Sequence, residues 1–238
     1  MSDWLVKTQA LSGSVFSTFS LGHLVGHALA NYRFELANKA LYAFREFYQY
    51  SPLMELGLLG GSLLIHVTSS LLIKRSREAR QQLAAKKKND DYNESIGGST
   101  DVYLHRQAGF LLGLSIVGHV TAVRVAPLFL FQDASLIDLT YVTRTAQKFS
   151  YVFIPYYCLF VSAAFYHSVY GVAKTLKVFR LPHPKISSTG WLYIAGMLAV
   201  VGTSTVLAIS GIYEDVFIPL APQWDELHHK LFSLFSIL

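Results

Sequence analysis

One cysteine, Cys158, stands in 238 residues, so no disulfide framework can brace this chain. Charge is scarce too: Asp, Glu, Lys and Arg make up 15% of the chain, against about 25% in soluble globular domains. With 52% hydrophobic residues and a mean hydropathy of +0.36, that shortage excludes a soluble enzyme, and the hydrophobicity excludes a disordered chain. Catalytic signatures are missing as well. The chain has no phosphate-cradling glycine loop, no nucleophile elbow and no H-E-x-x-H helix.

What is present is apolar length. Crossing a bilayer takes about 20 residues with few charges, and five windows qualify, at about 10–31, 53–73, 106–126, 149–173 and 189–213. They predict an all-α integral membrane bundle of five transmembrane helices forming one membrane domain over residues 1–238. Tyr32, Tyr103, Tyr151, Trp191 and Tyr213 flank the windows, as rings that are half wet and half buried do. Met1 to Leu11 carries Asp3 and Lys7 and no long apolar core, so the first span is expected to be retained. After the last span, Trp224, Leu227, Leu231, Leu234, Phe235 and Leu238 recur at three- and four-residue steps, which predicts an interfacial helix at about 222–238. The same pattern fits docking on a partner subunit.

Five spans put the termini on opposite sides. The N-terminal side receives Lys7, the group Lys74, Arg75, Arg77, Arg80, Lys86, Lys87, Lys88 and Arg106, and Lys174, Lys177, Arg180 and Lys185, which is 13 of the 20 basic residues. By the positive-inside rule that side faces the cytosol or its topological equivalent. The basic residues are therefore concentrated on one side of a membrane, which argues against nucleic acid; the run KKKNDDYNESIGGST is read as a solvated loop, with contact to anionic lipid headgroups as the alternative.

Ionisable groups inside spans are costly and usually functional. The windows hold His23 and His27 in the first, His66 in the second, His119 in the third and His167 in the fourth. Each of His23, His66, His119 and His167 lies about 13 to 18 residues into its window, roughly 20 Å or more at 1.5 Å per residue. Because successive helices run in opposite directions, His23 and His119 fall toward one side and His66 and His167 toward the other. Two facing imidazoles at one depth are the axial ligands of a six-coordinate haem in a helical bundle. The expectation is two haem b groups, held by His23 with His119 and by His66 with His167. Gly22, Gly26, Gly118 and Gly171 lie beside these histidines and let a backbone approach closely. His27, one turn past His23, can replace it or meet a propionate. Arg33, Arg45 and Arg124 on one side, and Arg75 and Arg106 on the other, are the cations available to propionates, or are snorkelling anchors. His105, His183, His228 and His229 are read as interfacial residues. The competing reading of intramembrane histidines is helix-to-helix hydrogen bonding. Zinc or non-haem iron wants carboxylates or thiolates, and the spans offer little beyond Glu55 and Cys158.

Four ligand-bearing spans followed by one without a ligand resemble the single-chain, two-haem cytochrome b anchors of succinate dehydrogenases and fumarate reductases. HLVGH at 23–27 is similar to their HLxGN, and HSVYG at 167–171 to their His four residues before a Gly. That resemblance implies a complex II-type fold, ligands paired first span with third and second with fourth, peripheral flavoprotein and iron–sulfur partners, and ubiquinone as electron partner. The chain would be non-catalytic alone, in the mitochondrial inner membrane.

A resemblance covering nearly the whole chain is to the fungal MDM-ten complementing protein family. It rests on KTQALSGSVFSTFSLGH (7–23), REFYQYSPLMELGLL (45–59), AGFLLGLSIVGHVTAVRVAPL (108–128), LIDLTYV (136–142) and FYHSVYG (165–171). It implies a multi-pass protein of the mitochondrial outer membrane that recruits a bridge-like lipid-transfer protein and supports lipid homeostasis. The recruiting element of that family is a proline-containing peptide in an extended N-terminal region. The close proline pair of this chain, Pro182 and Pro184, lies in the fourth connection.

Overall fold

The computed structural model describes residues 3–49, 51, 53–87, 99–131 and 134–235. Among these the chain is mostly helical, with no strand. The helices are α1 (Asp3–Ala28), α2 (Phe34–Tyr48), α3 (Gly61–Lys87), α4 (Thr100–Val120), α5 (Ala126–Phe131), α6 (Leu139–Lys148), α7 (Ser150–Val178), α8 (Ser188–Ile209) and α9 (Ala221–Phe235). Two stretches are π-helical: Leu53–Gly60, which leads into α3, and Thr121–Val125, which joins α4 to α5.

Four helical runs are long and apolar enough to cross a membrane: Leu53–Leu83, Thr100–Phe131, Ser150–Val178 and Ser188–Ile209. They match the second to fifth predicted windows. The first window falls in α1, whose 26 residues have the length but are diluted by Ser12, Ser14, Ser17, Thr18, Ser20 and two histidines. Those polar groups are absorbed locally. Ser12 and Ser17 are buried, and the Ser12 and Thr18 hydroxyls donate to carbonyls one turn back. Helix α7 is the hub and packs against α1, α4 and α8, while α1 also lies along α3 and α2. Leu56, Phe110, Leu159 and Val200 point outward and remain exposed, as lipid-facing side chains do.

The connections are more ordered than the windows predicted. Helix α3 runs on to Lys87, so Lys74, Arg75, Arg77 and Arg80 extend on a helix. The polar run that follows falls outside the described residues at 88–98. The first connection holds α2, whose Ala37 and Leu41 turn inward at helical spacing. The third holds α5 and α6. Asp138 caps α6 by accepting from the Thr140 backbone N–H (2.9 Å), and Asn38 and Tyr42 of α2 donate to its other carboxylate oxygen (3.1 and 3.2 Å). Arg45 of α2 is buried and donates to the carbonyls of Ser135 (2.7 Å) and Ile137. One polar latch therefore fastens α2 to the start of α6.

At the N-terminal side, Asp101 of α4 accepts from Tyr170 Oη of α7 (2.7 Å) and Ser188 Oγ of α8 (2.5 Å), and its backbone carbonyl accepts from Tyr166 (3.1 Å). One carboxylate thus ties three helices. Helices α7 and α8 both end in Schellman turns, with Leu181 N–H to the Leu176 carbonyl (2.9 Å) and Ile212 N–H to the Leu207 carbonyl (3.1 Å). Such a turn needs a left-handed residue. Gly211 supplies it at φ 79° and Arg180 at φ 57°.

Helix α9 begins where the predicted interfacial helix does, but its apolar face is docked on the protein's own α5 and α6. Trp224 and Leu227 are fully buried, with Trp224 Nε1 donating to Thr140 Oγ1 (3.1 Å). Arg144 of α6 makes a two-pronged ion pair with Asp225 (3.1 and 2.6 Å). The side chains of 234–238 lie outside the described residues.

Candidate functional site

The structure brings His66 of α3 and His167 of α7 together across the bundle interior, with ring centroids 6.2 Å apart and planes at 84°. Both rings are held from behind in the same way. His66 Nδ1 lies 3.1 Å from the Gln9 carbonyl and His167 Nδ1 3.1 Å from the His105 carbonyl. A carbonyl only accepts, so Nδ1 carries the proton in each ring and Nε2 is left with a bare lone pair. That nitrogen can accept a hydrogen bond or bind a metal ion.

Glycine makes the placement possible. A Cβ at Gly13 of α1 would stand 2.6 Å from His66 Nδ1, and one at Gly109 of α4 would stand 2.6 Å from His167 Cε1. Each imidazole therefore leans on a bare backbone. Ser70 Oγ donates to the His66 carbonyl (2.7 Å) and accepts from Gln9 Nε2 (2.8 Å), so α1 holds both ends of the His66 turn.

Sequence reasoning placed His105 among interfacial residues, yet its ring stacks on His167 at 4.2 Å and 9° and sits 4.7 Å from Tyr170. Its Nδ1 is buried with no hydrogen-bond partner. The signal was present in the spacing, because His105 precedes Gly109 by one helical turn and so shares its inward face.

At the other depth, the rings of His23 and His27 of α1 lie 4.2 Å apart, tilted at 47°, and Phe19 and Phe44 lie 5.8 and 6.3 Å from His23. His119 of α4 packs against Phe160 at 5.2 Å. The Nδ1 atoms of His23 and His27 are buried without a partner. A Cβ at Gly22 would come within 3.0 Å of the Phe44 ring, while Gly118 faces open space.

The five arginines divide. Arg124 is committed to Glu55 through two contacts of 2.6 Å, a fork that joins the two π-helical stretches, and Arg45 to the latch described above. Arg33, Arg75 and Arg106 are exposed. Among the described residues no group of three or more His, Cys, Asp and Glu side chains is arranged to hold a metal ion.

His228, also read as interfacial, is 2% exposed. Tyr141 and Phe149 cover it at 5.3 and 5.6 Å, and its Nε2 lies 2.8 Å from Thr145 Oγ1. Burial, with Lys148 beside it, lowers its pKa to about 4, so the ring is neutral.

Fold and site together define a helical, multi-pass membrane protein with histidine pairs between its helices. A family model described as MDM10-complementing protein 1, transmembrane domain, matches residues 114–216. That stretch runs from the end of α4 through α8 and carries His119 and His167, one member of each expected pair. No curated protein and no solved structure matches the chain.

Proposed function

We propose that this chain is a mitochondrial multi-pass membrane protein of the MDM10-complementing type, a non-catalytic outer-membrane adaptor that recruits a lipid-transfer protein and supports lipid homeostasis. The match over residues 114–216 carries this reading. In it α1 is the fifth span. Its 26 residues reach about 39 Å at 1.5 Å per residue, and it exposes Trp4, Leu11 and Val25 on its outer side. The test is affinity purification of the tagged chain from detergent-solubilised mitochondria. Recovery with a lipid-transfer protein supports the adaptor; recovery with flavoprotein and iron–sulfur subunits overturns it in favour of a complex II-type anchor.

A second reading concerns what the bundle holds. Nε2 of His66 and of His167, with Nδ1 of each fixed by a backbone carbonyl, would be the atoms that hold one haem b. His23 and His119, with His27 beside them, are the residues that would hold a second. When bound, haem supplies a one-electron couple or a rigid plate between helices. The protein's own part is to orient the imidazoles, through Gln9, His105, Gly13 and Gly109, and to keep water away. A reduced-minus-oxidised absorption spectrum of the purified chain tests this, and a missing b-type band refutes it. Electron transfer to quinone has only the histidines behind it, whereas the family match speaks for the adaptor.

A further inference from the structure

At the corner where α6 gives way to α7, an open groove of about 430 Å³ is lined by Lys148, Phe149, His228, His229, Phe232 and Ser233. Its depth follows from the fold, because Ser150 begins a membrane-crossing helix and so the corner lies at the bilayer interface. Tyr151, 97% exposed, and Val152, 66% exposed, follow directly in the chain and continue the apolar surface toward lipid.

The groove carries surplus positive charge. Asp225 is held by Arg144 through two contacts and by Lys148 through a third (2.9 Å), two cations for one carboxylate. The other pair on α9, Lys230 with Glu226 (2.6 Å), is balanced. His228 closes the groove from below. The Thr145 hydroxyl has one proton and donates it to the Tyr141 carbonyl (2.8 Å), so in its contact with His228 it must accept. His228 Nε2 therefore carries the hydrogen, and Nδ1 keeps a lone pair that has no hydrogen-bond partner. That nitrogen is itself buried, so His228 packs beneath the groove and the polar end is left to Lys148 and His229. Phe149 and Phe232 supply apolar sides for what lies beyond the polar end.

We infer that this groove binds the headgroup of an anionic phospholipid of the surrounding bilayer, its phosphate against Lys148 and His229 and its apolar part along Phe149 and Phe232. The inference rests on the chain being a membrane protein and is independent of whether it recruits a lipid-transfer protein or holds haem.

The experiment titrates the purified full-length chain in detergent with dioctanoyl phosphatidylinositol and dioctanoyl phosphatidylcholine, reads bound lipid by native mass spectrometry, and adds inorganic phosphate as competitor. Phosphatidylinositol is expected to bind at least tenfold more tightly than phosphatidylcholine. Lys148→Gln and His229→Gln should each weaken it three- to tenfold, and Lys148→Arg should restore it. Lys39→Gln, an exposed cation of α2, should leave it unchanged. Equal affinity for the two lipids, or undiminished binding by the Lys148→Gln/His229→Gln double variant, overturns the proposal. So does displacement by inorganic phosphate at the lipid's own concentration, which would make the groove a free-anion site. Because Arg144 alone still holds Asp225 in the Lys148→Gln variant, unchanged thermal unfolding of that variant is part of the expected result.

Discussion

Gly109→Ala is the sharpest single test of the histidine geometry. The new methyl group would stand 2.6 Å from His167 Cε1 and 3.0 Å from its Nδ1. Ordinary carbon contacts lie at about 3.5–4.0 Å, so the ring or α4 must give by about an ångström. The ring has little room. Its Nδ1–H is donated to the His105 carbonyl on the same helix as Gly109, and its face is stacked on His105 at 4.2 Å. Retreat breaks that bond and leaves a buried N–H unpaired, a cost of about 1–3 kcal/mol. Staying put costs about 1–3 kcal/mol of overpacking. The structure takes the cheaper response or a mixture, a loss of about 1–3 kcal/mol that exceeds the gain of at most about 1 kcal/mol from alanine's better helix propensity. At about 2–4 °C per kcal/mol for a chain of this size, a fall in unfolding temperature of up to about 12 °C is expected. The control lies one turn away on the same helix, because a Cβ at Gly113 meets nothing within 4 Å. Gly113→Ala should therefore be neutral or slightly stabilising. Thermal unfolding of the two variants in one detergent decides it. Equal unfolding temperatures would refute the placement of His167, and with it the argument for which nitrogen carries the proton.

Three further expectations follow from the same coordinates. His228 has its pKa lowered to about 4 in the folded chain, from an ordinary value near 6.5. Its contribution to the docking of α9 is therefore full above about pH 6.5 and lost as pH falls toward 4. Asp225, held well below the carboxylate range by Arg144 and Lys148, adds to the loss only below about pH 4. Hydrogen exchange of α9 across that range checks this, and His228→Asn should remove the first step. Arg180→Gly should stabilise the end of α7 by about 1 kcal/mol, because glycine takes φ 57° without a Cβ penalty; an unchanged or lower unfolding temperature would contradict it. Glu55→Gln and Arg124→Gln should each cost about 1–3 kcal/mol by leaving a charge unpaired between the π-helical turns. The double variant should cost less than the two together, and additive losses in a double-mutant cycle would deny the coupling.

Much of the fold was legible because hydropathy is a local property. The second to fifth windows reappear as membrane-length helices since about 20 apolar residues have no other stable home. Counting 1.5 Å per residue placed His66 and His167 at one level, and the folded chain has them 6.2 Å apart. Depth counting could not see azimuth. His105 reads as a span-end residue until α4 is rotated so that its Gly109 face meets His167. The connections were misjudged for a related reason. Helix α6 buries Thr140, Thr143 and Thr145, which look like solvent-facing residues until Asp138, Ile209 and His228 supply their partners. The fates of Arg45 and Arg124 were equally hidden, since a cation near a span end can pair with a propionate, a headgroup, a carbonyl or a carboxylate, and nothing local chooses among them.

By itself, then, the sequence determined that the chain is a helical membrane protein, that His66 and His167 fall at one level and which helix ends carry the basic residues. Each of these depends only on composition and on the fixed rise of a helix. Tertiary structure alone decided that His66 and His167 face each other with Nε2 bare and that His105 joins them. It also decided that Arg124 is bound to Glu55, and that the amphipathic C-terminal helix covers α6 and leaves a basic groove at its edge. These depend on the rotation of each helix about its axis and on which neighbour it meets. That is set by packing, where a glycine at 13 or 109 admits an imidazole that any larger residue would turn away.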